Sequence, residues 1–157
     1  MPDGLYERDA LAWSEQQADL LRRLAHGERV NDAVDWPNVV EEIEAMGRSE
    51  VRACVSMLRL VIEHVLKAHA WPDSQAVAHW RSEIVRFLAD LQDCFSPSMR
   101  QRISVDDEYA RVLRIVMAGA SAGMTPVPAA CPFVLDDFLA KDADASVLLR
   151  ILVGRKI

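Results

Sequence analysis

Apolar residues recur at steps of three and four along most of this chain, the spacing that lines one face of an α-helix. The longest such run lies between Asp35 and Pro72. There Val40, Ile43, Gly47, Val51, Cys54, Leu58, Val61, Val65 and Ala68 form one stripe, and Met57, Ile62 and Leu66 widen it. A stripe that broad predicts a central helix with neighbours on more than one side. Asp35 is placed to cap its start, and Pro37 falls in the first turn, where a missing N–H costs nothing. Glu41, Glu42 and Glu44 follow near the positive end of the helix dipole. Gly47 is the weak point, costing about 1 kcal/mol relative to alanine. It marks either a close helix crossing or a break after which Ser49 caps a second helix. Trp71-Pro72 ends the run, because a residue before proline is pushed out of the helical region.

Shorter helices are expected on both sides. Leu5 to Ala25 reads as one helix with Tyr6, Ala10, Trp13, Leu20 or Leu21, and Leu24 inward, closed by His26-Gly27. Gln17 interrupts that face and needs a partner if buried. After Pro72, with Asp73 or Ser74 as cap, Val77, Trp80, Ile84, Phe87, Leu88, Leu91 and Phe95 mark a third helix. The short link predicts an antiparallel hairpin with the central helix. Ser96-Pro97 starts another helix, and Ser104 a further one or a kink, with Ala110, Leu113, Val116, Met117 and Ala120 inward. Thr125–Pro132 is the only proline-rich stretch and must be a loop; Phe138 and Leu139 ride a short helix beyond it. The tail, Ser146–Val153, is apolar nearly all round and is either helix or strand. The pattern predicts an all-α helical bundle of about four to six helices organised around the long central one. A single domain is expected over residues 1–157, with an apolar tail at 144–157.

Composition narrows the function. The 157 residues carry a formal net charge of −6, with 27% charged and 51% apolar side chains. This is a globular balance, and it argues against a nucleic-acid partner, which needs a basic face. Neither a leader peptide nor a run of roughly 20 apolar residues is visible, so no membrane partner and a cytoplasmic location are expected. Cys54, Cys94 and Cys131 are far apart and without C-x-x-C spacing, which fits a reducing compartment.

Candidate chemistry is sparse. Glu41, Glu42 and Glu44 can act as acid–base groups or ligands, but equally as dipole-complementing surface charge, Glu44 pairing with Arg48 at i,i+4. His64 and His69, five apart, miss the i,i+4 spacing of helical zinc ligands, and neither H-E-x-x-H nor a pair of E-x-x-H motifs occurs. Glu44 and His64 are twenty residues apart, about 30 Å along a helix. A cross-helix set is easier: a hairpin at Trp71–Ser74 brings His79 and Glu83 back toward Glu63 and His64, and these four can hold a divalent metal such as zinc. No nucleophile elbow or phosphate loop is present. Trp13, Trp36, Trp71 and Trp80 can stack a ligand or anchor the bundle; packing is favoured for Trp13 and Trp80, while Trp36 and Trp71, at the ends of the central segment, stay open.

The fragments LYERD, Trp13 with QADLL, DW at Asp35–Trp36, EEIEAMGRSE, HVLK with Pro72, Trp80, SPS at Ser96–Ser98 and CP at Cys131–Pro132 occur in this order. Over roughly residues 5–140 the chain resembles a bacterial family, domain-of-unknown-function family twenty-nine. The resemblance implies a small, all-helical, cytoplasmic protein with no established activity. Trp36, Glu41, Glu42, Glu44, Gly47, Ser49, Glu50, His64, Lys67, Pro72 and Trp80 match its pattern; His69 and His79 do not. Trp36, Glu41, Glu44, His64 and Lys67 form the candidate functional cluster. The expected function is a non-catalytic interaction or regulatory module, with no cofactor. It would take a protein partner or form a homo-oligomer, through a bundle face or Ser146–Val153. The alternative is a metal-binding or metal-dependent bundle enzyme using His64 and nearby carboxylates.

Overall fold

The computed structural model describes residues 4–154; Met1–Asp3, where a leader would begin, and the last three residues of the tail lie outside them. The described residues form seven α-helices and no strand, five of the helices ten residues or longer. They cluster into two compact units, residues 1–49 and 50–157. No helix among them is long and apolar enough to cross a membrane.

In the first unit, the single helix expected over Leu5–Ala25 is two. Helix α1 covers Leu5–Arg8; at Asp9 the backbone leaves the helical region, with φ −152° and ψ 85°, and α2 runs Ala10–Ala25. The Asp9 carboxylate accepts the Ala12 N–H at 3.0 Å and caps α2. An aspartate competes with the helix in this way, so the apolar period continues through a break it cannot report. His26 caps the other end, and Gly27 follows with φ 88°, a left-handed conformation that glycine adopts without strain. A 3-10 turn at Asn31–Ala33 leads to α3, Trp36–Ala70, which is unbroken at Gly47. The core here is small: Trp13, Leu20, Val34 and Val39, with Leu5, Tyr6, Leu21 and Val30 packed against it. The expected inward positions Val40 and Ile43 are instead exposed, and Val39 is buried in their place. Each residue turns the helix by about 100°, so a face that meets Trp13 and Leu20 through Val39 points Val40 away.

The second unit holds the rest of α3 with α4 (Val77–Cys94), α5 (Val105–Ala118), α6 (Leu135–Leu139) and α7 (Ala145–Gly154). Along α3 both apolar rows are used: Cys54, Leu58, Val61, Ile62, Val65 and Leu66 are fully buried. Each such aliphatic side chain contributes roughly 1.5–3 kcal/mol. Ile84, Leu88 and Leu91 of α4 meet the same core. The link between α3 and α4 is six residues, Trp71–Ala76, with Ser74 Oγ accepting the Ala76 N–H at 3.2 Å. Ser96-Pro97 opens a 3-10 turn, Pro97–Met99, in place of the expected helix. Ser104 does start a fresh helix, its hydroxyl accepting the Asp107 N–H at 3.3 Å.

Helix α5 buries Val105, Tyr109, Val112 and Val116, whereas Ala110, Met117 and Ala120, expected inward, are exposed. Tyr109 decides the face: its ring is buried and its hydroxyl donates to the Pro128 carbonyl at 2.6 Å, tying down the proline-rich loop. The loop is held again where the Thr125 N–H donates to the Ala70 carbonyl at 2.9 Å. Residues 146–153 are helical. Asp144 accepts the Val147 N–H at 2.7 Å, and Ala145, Leu148 and Leu152 bury against the bundle core.

Candidate functional site

Asp35 organises the start of α3. Its carbonyl accepts the Val39 N–H at 3.0 Å, and its Oδ2 receives Asn38 Nδ2 at 2.8 Å and the Trp13 indole N–H at 3.0 Å. The Gln17 side-chain oxygen accepts the Asp35 N–H at 2.8 Å, which supplies the partner that a buried glutamine needs. Oδ1 is buried and makes no hydrogen bond among the described residues. The Asn38 bond, supported by that from Trp13 and opposed by burial, holds the Asp35 carboxyl below its ordinary range.

The five candidate residues divide between the units. Trp36, Glu41 and Glu44 lie in the first. The Trp36 indole donates to the Asn31 carbonyl at 3.2 Å while its ring stays exposed. Arg48 pairs with Glu41 at 2.5 Å and with Glu44 at 3.8 Å, so the expected i,i+4 pair is present but shared. Glu42 accepts the Tyr6 hydroxyl at 2.6 Å, and that bond raises the phenol pKa.

His64 and Lys67 lie in the second unit. His64 Nδ1 is 2.7 Å from the Leu60 carbonyl and its ring meets Phe87 edge-on, centroids 5.3 Å apart. Lys67 pairs with Glu63 at 2.5 Å. Phe87, rather than His79 or Glu83, therefore stands against His64. The six-residue link sets the register of α4. His79, eight residues nearer the turn, lies about 12 Å back along the helix, and it is exposed. Glu83 pairs with Arg86 at 2.6 Å, and Arg86 sits 5.0 Å over the Phe87 ring. Glu63, His64, His79 and Glu83 are thus not drawn together. No group of three or more His, Cys, Asp and Glu among the described residues is arranged to hold a metal ion.

Cys54 and Cys131 are poor nucleophiles. Burial, aided by Cys94 alongside, pushes Cys54 up to about 12, and burial pushes Cys131 up to about 11. At neutral pH almost no thiolate forms at either site. Two features escaped the sequence reading. Arg59 and Glu108 form a half-buried ion pair between α3 and α5, with no local spacing to signal it. A shallow hollow of about 470 Å³ is lined by Gln92, Phe95, Arg100, Asp136, Leu139 and Ala140. Its polar groups already have partners: Arg100 bonds Asp136 at 2.8 Å, and the Gln92 amide donates to the Phe138 and Ala140 carbonyls.

The first unit also leaves apolar surface uncovered. Trp36, Val40 and Ile43 are 39%, 49% and 61% exposed, one face of α3 in the first unit, with Met46, 64% exposed, at its edge. Gly47 continues the face, and apart from its chain neighbours and the nearby backbone of its own helix no described residue lies within 4 Å of where its side chain would begin.

The family model described as domain of unknown function DUF29 matches residues 5–143. The chain belongs to the DUF29 family. Among solved structures, this DUF29 chain is similar to an alpha-helical protein of unknown function from Rhodospirillum rubrum ATCC 11170. The two are 34% identical with a TM-score of 0.69, the match covering 94% of this chain and 96% of that one. No curated protein matches the DUF29 chain. Its described residues are all-helical like that neighbour, and the family and the neighbour are both described as of unknown function.

Proposed function

We propose that this DUF29 chain is a non-catalytic interaction module that offers the first half of α3 to a protein partner. One observation carries this reading: Trp36, Val40, Ile43 and Met46 hold apolar surface in water on a single helix. Scattered exposed apolar residues are ordinary; a contiguous row is what partners cover. The tail expected to self-associate is less suited, because Ala145, Leu148 and Leu152 are occupied by its own bundle. A metal-dependent reaction has less support, since Glu63 and Glu83 are neutralised by Lys67 and Arg86. The free thiols fit a reducing, cytoplasmic setting.

The test is a photo-crosslinking side chain placed at Ile43, with exposed Asp90 of α4 as control position, irradiated in growing cells. The expected result is a discrete adduct from position 43 and none from position 90. Irradiation that leaves both at the mass of the single chain would sink the interaction reading.

A further inference from the structure

We infer that the partner of this face is a second copy of the same chain, its α3 laid antiparallel across the first about a two-fold axis near Ala45 and Met46. The inference rests on the interaction reading above and names its partner. Two reciprocal pairs, both within the first unit, support it.

The first pair is steric. Gly47 leaves a gap in the exposed stripe, and nothing among the described residues fills it. A glycine inside a helix is a costly choice where no packing uses it. Ile43, 61% exposed, stands one turn earlier on the same face. When two such helices cross antiparallel, Ile43 of each copy falls over Gly47 of the other, a knob into a hole, twice. Laid parallel, isoleucine would meet isoleucine and glycine would meet glycine, leaving a void.

The second pair is electrostatic. Glu44 and Arg48 border the stripe on one side, four residues apart and both exposed; within its own chain Arg48 lies 2.5 Å from Glu41 and 3.8 Å from Glu44. In the antiparallel crossing Glu44 of each copy approaches Arg48 of the other. In a parallel two-fold crossing the charged borders lie on opposite sides of the seam and do not meet. Both pairs select the same two-fold arrangement, in which one patch is its own complement. Because the face is a few side chains wide, the dimer falls at the weak, reversible end of protein interfaces.

The experiment is sedimentation equilibrium of the full chain over a concentration series, with helix content checked by circular dichroism. The parent chain is expected to show a reversible monomer–dimer equilibrium. Ile43→Glu and Gly47→Leu should each weaken it by at least about tenfold, as loss of a central contact does. Gly47→Leu is the sharper variant, because it favours the helix while filling the hole. Glu44→Arg and Arg48→Glu, each alone, should weaken dimerisation about two- to fivefold, as rim charges do, and an equal mixture of the two should recover it. A Gly47→Leu chain that dimerises as well as the parent would overturn the proposal. So would a parent chain that stays monomeric at every concentration. In that second case, a crosslinked adduct at position 43 with a different polypeptide would keep the interaction reading while refuting the self-partner, and no adduct at all would end both.

Discussion

At the scale of single residues, Asp35 does more than cap a helix. It joins the start of α3 to α2 through Trp13 and Gln17 and orders Asn38 beside it. Asp35→Ala strands the Trp13 indole N–H and the Asn38 side-chain amide, a combined cost of about 2 kcal/mol, to be read from urea unfolding. The carboxyl also leaves a pH signature. Its folded pKa lies below the ordinary 3.8, so its contribution is fully present above that value and is lost as pH falls through the folded pKa. Stability measured from pH 5 downward should fall less steeply in Asp35→Asn than in the parent; parallel curves would contradict the assigned role. The sequence showed Asp35 as a cap and Gln17 as a polar group in want of a partner. That the two meet was hidden, because they are eighteen residues apart and only the turn at Asn31–Ala33 brings them together.

At the scale of elements, periodicity located the helices and misjudged some of their faces. The apolar stripe of α3 runs unbroken from Val40 to Ala68, yet its first part is exposed while the part from Cys54 onward is buried. A stripe says that a face is apolar; it does not say whether the chain itself supplies the cover. In α5 the buried side follows Tyr109 and its bond to Pro128, a contact across the loop that no local spacing encodes. The register of α4 went the same way: a link of six residues put Phe87 against His64, and the four proposed metal ligands stayed apart. Gly47 tests the reading of α3 directly. Its surroundings are open, so at dilutions where the chain is monomeric Gly47→Ala should raise stability by about 0.5–1 kcal/mol in urea. A loss of stability would mean that the glycine is used inside the chain after all.

At the scale of the molecule, the two units differ in how much apolar surface they have to hold them. The first buries four core residues, Trp13, Leu20, Val34 and Val39, and leans on hydrogen bonds at Asp35. The second buries a continuous core reaching from Cys54 of α3 to Leu152 of α7, with Tyr109 and Phe138 among its largest members. Backbone amides exchange through local openings whose cost rises with the apolar contacts broken. Amide hydrogen exchange followed by mass spectrometry should therefore separate the units. Peptides from α2 are expected to exchange well before peptides covering Leu58–Leu66, with those from α7 protected alongside the bundle because Leu148 and Leu152 are part of its core. Equal protection in α2 and in the buried stretch of α3 would show that the small core is held by more than its own side chains. If the first half of α3 pairs with a second copy, its amides should gain protection with rising protein concentration while those of α4 and α5 do not. A concentration-independent pattern in α3 would leave the exposed stripe without its partner.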